Sequence, residues 1–442
     1  MLEKEGGLKM LIKGGFVFDP ANARAGRLDV RVAEGKIVAV GPELGVEAGE
    51  EVLDAAGLIV APGFVDIHVH LRDPGFTHKE TLASGSRAAA AGGFTTVVAM
   101  ANTKPVMDRP ELVREFYRRA AREAVVNVYT VGAVTRGLAG EELSDFAALK
   151  EAGVVGFSDD GNPIPTAALM RQALKEAGRL GLPVIAHEGD PSLVADTIVN
   201  EGDAAARLGL GGMPGAAEDI QVARDVLLAE LTGAHLHIQH VSSARSVAII
   251  REAKARGVRV TAEATPHHFT LTDEALLKWG ADAKMNPPLR SAQDVAAVRQ
   301  GLADGTLDAI ATDHAPHAPE EKAAGLVQAP CGIIGLETAF GLTWTELVLT
   351  GVLTPAQAIA KLTCLPARIV GLPKGTLSPG GDADITLFDP NATWEVDPAE
   401  FYSQSRNTPF AGRKLTGRIV YTIVGGRLVY AGGKILAEEA TA

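Results

Sequence analysis

The sequence predicts an α/β protein, a (β/α)8 barrel joined to a β-sandwich that both ends of the chain build together. Three observations predict it. Between about residues 62 and 372, short apolar segments alternate eight times with helical stretches of roughly ten to twenty residues. On either side the texture changes to short alternating segments punctuated by Gly, Pro and Asp, and neither end alone is long enough to bury a good core. No glycine-rich dinucleotide loop follows the first apolar segment, which argues against an open doubly wound sheet.

The first barrel strand is Gly63-Phe64-Val65-Asp66-Ile67-His68-Val69-His70-Leu71-Arg72. Val65, Ile67, Val69 and Leu71 alternate with Asp66, His68, His70 and Arg72, so a period of two sends the apolar set to one face and the polar set to the other. Further strands are expected at 95–99, 125–131, 154–157, 183–186, 235–239, 258–262 and 307–311, with helices including 109–123, 216–231, 244–256 and 291–302. Outside the barrel, segments 11–18 and 36–40 precede it, and 384–388 and 419–424 follow, the last ending on a Gly425-Gly426 hairpin turn. These read as antiparallel strands. The expected division is a composite sandwich of residues 1–61 and 373–442 around a barrel of residues 62–372.

Composition narrows the function classes. A chain of 442 residues exceeds one core, and 46% hydrophobic with 22% charged residues describes a soluble globular protein. A net charge of −12 without a basic stripe argues against nucleic acid and anionic membrane surfaces. A small acidic substrate remains open, because one buried Arg can dominate a pocket. Cys331 and Cys364 are the only cysteines, too few for a disulfide framework or a thiolate zinc cluster. Met1-Leu2-Glu3-Lys4-Glu5 lacks the pattern of a signal peptide, and no run approaches the ~18 apolar residues of a membrane span. A cytoplasmic protein is expected.

In such a barrel, chemistry gathers at the C-terminal ends of the strands. The first strand delivers His68 and His70; later ends deliver Asp159 and Asp160, His187, His240, and Asp313. An isolated His-x-His pair is more often a pair of core histidines, but ligand-type residues at four further strand ends reverse that reading. Four histidines and two aspartates suit two zinc ions with open positions left. Asp160 is the carboxylate best placed to bridge, and Asp313 is both a candidate ligand and the candidate general base and acid. His78 is expected to open a helix, and with His235, His237, His267, His268 and His314 it is read as a hydrogen-bonded structural imidazole.

His317 lies four residues past Asp313, beside prolines that stiffen its loop, and reads as a substrate contact. Arg72 can clamp a carboxylate through two parallel hydrogen bonds. Asn102 and Asn286 offer amides that both donate and accept, whereas Lys104 and Arg290 are expected to face solvent or brace loops. The Gly-, Ala- and charge-rich stretch 317–331 suggests a mobile lid.

Five motifs carry a resemblance over nearly the whole chain: Asp66-Ile67-His68-Val69-His70-Leu71-Arg72-Asp73-Pro74-Gly75, Asn102-Thr103-Lys104-Pro105, Phe157-Ser158-Asp159-Asp160-Gly161, Met285-Asn286-Pro287-Pro288-Leu289-Arg290, and Asp313-His314-Ala315-Pro316-His317-Ala318-Pro319. Together they resemble the amidohydrolase superfamily and, within it, the dihydroorotases of the bacterial long-chain class. The resemblance implies a zinc-dependent, reversible interconversion of N-carbamoyl-L-aspartate and L-dihydroorotate in pyrimidine synthesis. It implies His68, His70 and Asp313 around one zinc, His187 and His240 around another, and Asp160 between them, with two ions per subunit or a single one. It further implies that Arg72, Asn102 and His317 hold the substrate's α-carboxylate, that Asn286 contacts the ring amide, and that backbone groups at Cys331 and Gly332 contact the ring edge. His70 then borders the substrate as well as the metal.

Many relatives bridge the metals with a carboxylated lysine, but no Lys ends the fourth strand here, and Lys150 precedes it on a helix. That difference, with the carboxylate-binding trio, weighs against a dihydropyrimidinase, hydantoinase or allantoinase. A non-catalytic scaffold barrel would be free to lose ligands, and none is missing. A homo-oligomer and a complex with aspartate transcarbamoylase are partners to test for.

Overall fold

In the computed structural model, which describes residues 9–436, the first barrel strand runs Phe64–Val69 and is buried along its whole length. The N-terminal residues 1–5, read above for a signal peptide, lie outside the described residues. The strand pairs in parallel with Phe94–Ala99, which pairs in parallel with Asn127–Thr130. A second parallel run joins Val184–Ala186, Leu236–Ile238, Val260–Ala264 and Ala309–Ile310. Phe157 links the two runs by bridging Gly132 on one side and Val184 on the other. Closure comes from a parallel bridge between Val69 and His314, where the His70 N–H donates to the His314 carbonyl at 2.9 Å.

The fourth strand, expected at 154–157, is thus reduced to one paired residue. Gly153 is taken up in closing the helix Phe146–Ala152, with φ of 106°, and Gly156 offers no side chain to pack. Beyond Phe157 the chain turns at once, because the Asp159 carboxylate accepts from the Thr135 backbone N–H and side-chain hydroxyl.

The long helices lie within two residues of expectation: Pro110–Glu123, Ala216–Thr232, Ala244–Ala255 and Ala292–Asp304. Their starts follow local chemistry. Pro110 occupies a first-turn position that has no hydrogen bond to lose, while Ser243 and Ser291 accept from backbone N–H groups of their helices. His78 does not open a helix. It sits in a turn, and the helix Leu82–Ala91 begins four residues later, after Thr81, whose side chain caps it.

Both ends of the chain share one seven-stranded sheet, ordered 434–435, 427–431, 414–424, 385–395, 59–62, 16–19 and 24–27. Its seam is the antiparallel pairing of Ile59–Pro62 with Ile385–Glu395, in register Ile385 to Pro62. A four-stranded sheet of 36–41, 29–33, 9–13 and 51–54 packs over it. Met10, Ile12, Val30, Val32, Val60, Leu387 and Ile423 fill the space between. Two pairings depart from the antiparallel expectation: Lys9–Lys13 with Glu51–Asp54, and Phe16–Asp19 with Ile59–Pro62, are parallel. In each case the intervening chain returns through other strands before pairing, so no tight hairpin sets the direction.

Phe388 of the sheet packs on Phe340 and Trp344, with ring centroids 4.4 and 5.1 Å away. Phe64, the first residue of the barrel strand, stacks on Phe340 at 5.3 Å. This aromatic seam fixes the sheet against the barrel. Between Ile385–Glu395 and Lys414–Val424 the chain leaves the sheet and crosses to the barrel loops that follow the first and eighth strands.

Candidate active site

The strand ends bring all six ligand-type side chains together. His68 Nε2 lies 3.3 Å from Asp160 Oδ1 and 3.4 Å from Asp313 Oδ1. His70 Nε2 lies 2.9 Å from Asp313 Oδ1 and 3.3 Å from Asp160 Oδ2. On the other side of Asp160, His187 Nδ1 and His240 Nε2 approach Oδ1 at 3.6 and 3.7 Å and stand 2.9 Å from each other. Asp160 therefore faces four imidazoles from three other strand ends. Every member is at most 6% exposed.

Two neighbours fix how the first-strand imidazoles face. His68 Nδ1 contacts Glu263 Oε1 at 2.6 Å, and His70 Nδ1 contacts Asn102 Oδ1 at 3.0 Å. Each acceptor holds the proton on Nδ1 and leaves Nε2 turned toward the carboxylates. Those lone pairs would repel the carboxylates unless a proton or a cation lay between them. Asp160 Oδ1 is buried and has no hydrogen-bond partner, although three imidazole nitrogens surround it. Imidazole nitrogens and carboxylate oxygens converging on an orphaned buried oxygen fit a transition-metal site.

The electrostatics point the same way. Burial opposes charge on His68, but Asp160, Asp313 and Glu263 outweigh it and hold its pKa well above the ordinary value. Burial likewise opposes ionisation of Asp160 and Asp313, yet His68 and its fellow imidazoles keep both carboxyl groups below the usual carboxylate range. His187 is shifted down by burial. The cluster stabilises positive charge at its centre.

The residues assigned to substrate fall less uniformly. Arg72 Nη2 lies 3.3 Å from His317 Nε2, and its Nε donates to the Pro316 carbonyl. His317 Nε2 donates to the Cys331 carbonyl at 2.8 Å, and Lys79 Nζ donates to Nδ1 at 3.3 Å. Burial, then Arg72 and Lys79, push the His317 pKa down to about 2, so the ring is neutral. Arg72 and Lys79, with the neutral His317 between them, form a corner beside the cluster in which Lys79 is also paired with Glu321 at 2.8 Å. Asn102 is engaged elsewhere, bonding His70 and the Asp160 carbonyl. Asn286 Nδ2 stands 3.0 Å from His187 Nε2, next to a cavity of about 310 Å³ that His187, Met213 and Pro163 also line.

Both backbone groups of Gly332, expected at the ring edge, have partners within the chain. Its N–H donates to the Lys284 carbonyl, and its carbonyl accepts from Lys322 Nζ and Asn407 Nδ2. A side chain there would meet Ala315 Cβ at 2.6 Å, and φ is +126°, so the position requires glycine. Nor is the stretch 317–331 free along its length. Pro319–Lys322 is a helical turn, and Lys284 and Lys322 hold the far limb by its carbonyls, leaving an exposed tip at 323–325 and 327–328. Arg290 is buried and braces Ser242, Asn200 and Met213, while Lys104 is exposed.

Sequence reading missed Glu263, Lys79 and Asn407. Glu263 is wholly buried and joins His68 to His237, whose Nδ1 meets Thr261 Oγ1 at 2.9 Å. The alternation of Val260, Ala262 and Ala264 with Thr261 and Glu263 was the available signal, but the strand expected at 258–262 stops one residue short of Glu263.

A (β/α)8 barrel with such a cluster at its C-terminal mouth, seamed to a sandwich from both termini, defines the amidohydrolase class. Comparison with known proteins agrees: residues 57–246 match the family model described as dihydro-orotase-like, and residues 250–430 match the amidohydrolase family model. A dihydroorotase of Pelotomaculum thermopropionicum is 57% identical over 422 residues, covering 96% of this chain and 98% of the relative. A dihydroorotase of Geobacter sp. strain M21 is 50% identical over 426 residues, covering 96% and 100%. The chain belongs to the dihydroorotase family. Among solved structures, an L-hydantoinase (dihydropyrimidinase) from Arthrobacter aurescens superposes with a TM-score of 0.89 at 26% identity, covering 97% of each chain. A D-hydantoinase from Thermus sp. gives 0.84 at 27%, covering 98% of this chain and 97% of that one.

Proposed function

We propose that this chain is a zinc-dependent dihydroorotase that interconverts N-carbamoyl-L-aspartate and L-dihydroorotate plus water in pyrimidine synthesis. The observation that carries the reading is the pairing of a six-member ligand cluster with a corner beside it where the Arg72 guanidinium meets the neutral His317 ring. His68, His70 and Asp313 would hold one zinc, His187 and His240 another, with Asp160 shared, at two ions per subunit or one. Zinc bound there supplies Lewis acidity and makes a water-derived nucleophile available near neutral pH.

The chain's own groups do the rest. Asp313, held ionised at the mouth, takes the proton of the attacking water and returns it to the departing ring nitrogen. In the biosynthetic direction Asp313 removes the carbamoyl nitrogen's proton as that nitrogen bonds to the carbon of the side-chain carboxyl group, and returns it to the hydroxyl oxygen whose C–O bond breaks, so that this oxygen leaves as water. Arg72 clamps the α-carboxylate, and His317 turns its Nε2–H from the Cys331 carbonyl to the same group. Asn102 orients His70, and Asn286 meets the ring amide next to His187. Cys331 supplies a backbone contact to the ring edge, and Gly332 lets the loop pass close enough for it.

The hydantoinase-like fold neighbours raise a second reading, a cyclic-amide hydrolase for substrates without a carboxylate. Lys150 argues against it, since its amine donates to the Leu180 carbonyl, away from the cluster, and Asp160 stands where a bridging group is needed. Assay of the purified, metal-analysed protein against dihydroorotate, dihydrouracil and hydantoin decides between them. Selective turnover of dihydroorotate is expected; faster turnover of dihydrouracil or hydantoin would overturn the assignment.

The same reading carries a domain division at residues 1–61 with 373–442, and 62–372. It also carries a cytoplasmic location, and among the described residues no helix is long and apolar enough to cross a membrane. A homo-oligomer, and a complex with aspartate transcarbamoylase, are tested by light scattering of the chain alone and mixed with that enzyme.

A further inference from the structure

The segment 403–407, which arrives from the sandwich, alternates buried and exposed residues, so Ser403, Ser405 and Asn407 face the barrel while Gln404 and Arg406 face out. Ser403 Oγ donates to Glu80, and Ser405 Oγ donates to the Lys79 carbonyl at 2.8 Å. Asn407 reaches the loop after the eighth strand and uses both amide donors and its amide oxygen there. Its Oδ1 accepts from the His317 backbone N–H at 3.2 Å. Its Nδ2 donates to the Ala315 carbonyl at 3.1 Å and to the Gly332 carbonyl at 3.0 Å. Its own carbonyl accepts from the Ile334 N–H at 3.0 Å.

These four bonds tie both limbs of one excursion. The outgoing limb carries His317, and the returning limb carries Cys331 and Gly332. The limbs also meet directly, where His314 bridges Ile333, where the Ala315 N–H meets the Ile333 carbonyl, where His317 Nε2 donates to the Cys331 carbonyl, and where Lys322 Nζ donates to the Pro330 and Gly332 carbonyls. Asn407 is the clasp that comes from the sandwich segment. An apolar residue in its place would leave the Ala315 carbonyl and the His317 N–H, both buried, without this partner.

We propose that Asn407 is a positioning residue for the substrate's carboxylate, through which the sandwich segment sets the place of His317 against Arg72. This rests on the reading of His317 as a carboxylate contact. Asn407 touches neither the ligand cluster nor Asp313 in any hydrogen bond of the structure, so its loss acts on binding rather than on chemistry.

The test is steady-state kinetics on dihydroorotate for the metal-loaded unmodified chain and for Asn407→Ala, Asn407→Asp, His317→Ala and the Asn407→Ala/His317→Ala pair. Bound metal is measured in each, and exposed Gln404→Ala serves as the control from the same segment. Asn407→Ala is expected to raise KM about tenfold or more, with kcat changed less than about threefold and bound metal unchanged. It should add little to His317→Ala, because both act through one group. Asn407→Asp keeps the shape and the acceptor but loses both donors, and gives the same KM rise if the alanine variant does not fold. Unchanged KM in both variants overturns the proposal, as does a fall in kcat and metal content together, or full additivity with His317→Ala. Failure of the underlying reading looks different: the unmodified chain would not turn over dihydroorotate, or His317→Ala would leave KM alone.

Discussion

The barrel mouth and the sandwich interior are built on opposite terms. Between the two sheets the buried side chains are aliphatic, from Met10 and Ile12 to Leu387 and Ile423. At the mouth, His68, Asp160, His187, His240, Glu263 and Asp313 are buried just as deeply. Backbone strain divides the same way. Among the described residues, seven outside glycine have positive φ, and Arg72, His240 and Asp313 are three of them, at 58°, 31° and 47°. The other four, Ala23, Glu34, Glu43 and Leu138, sit at exposed or half-buried positions. A left-handed non-glycine residue costs about 1–3 kcal/mol, so it persists where surrounding structure holds it for a purpose. Stability resides in the apolar interiors, and the mouth draws on it to hold charge and strain.

The sharpest way to break that contrast is Asp313→Ala. It removes the proposed base, so turnover should fall at least about a thousandfold. Near-normal kcat would remove Asp313 from the base role. The converse experiment is Ile385→Ala at the seam between the chain ends. It should lower unfolding free energy by about 2–5 kcal/mol in denaturant titrations and leave kcat unchanged. A loss of kcat with intact stability would contradict the separation of the two regions.

Glu263→Gln sharpens the comparison within the barrel, where a buried carboxylate serves orientation rather than chemistry. Metal affinity, measured by chelator competition, should fall about 10–100-fold because the His68 tautomer is no longer held. Unchanged affinity would make Glu263 a packing residue.

The seam between the regions gives the smallest effect. Burial, reinforced by Glu80 and opposed by the Tyr402 and Ser403 N–H groups, pushes Glu337 up from 4.5 to about 8. Between those two values the folded chain holds a proton that the unfolded chain has released. Its contribution is therefore fully present below about pH 4.5 and is lost as the pH rises toward 8. Calorimetry from pH 5 to pH 8 should show the unmodified chain losing thermal midpoint relative to Glu337→Gln. Parallel curves would contradict the shift.

What the sequence disclosed follows the reach of its periodicities. The alternation at His68 and His70, and the ligand residues at the ends of later strands, located the cluster, because strand period and barrel polarity together decide where such side chains point. Glu263 escaped although the same alternation marks it, since the seventh strand runs Val260–Ala264 rather than 258–262. Asn407 carries no local signal. Its role arises only because a segment between two sheet strands returns to the barrel, more than 70 residues beyond the loop it clasps. The parallel pairings in the sandwich are long-range in the same sense. The fourth strand failed for a local reason, with Gly153 and Gly156 leaving too little side chain to sustain a ladder.

The chemistry of the mouth requires that these buried side chains assemble around cations. Diffraction on either side of the zinc absorption edge, from crystals of protein purified without chelator, tests it most directly. Anomalous density is expected, enclosed by His68, His70 and Asp313, with a second feature beside His187 and His240 and Asp160 common to both. Protein that turns over dihydroorotate yet shows no such density, and no transition metal by elemental analysis, would contradict it.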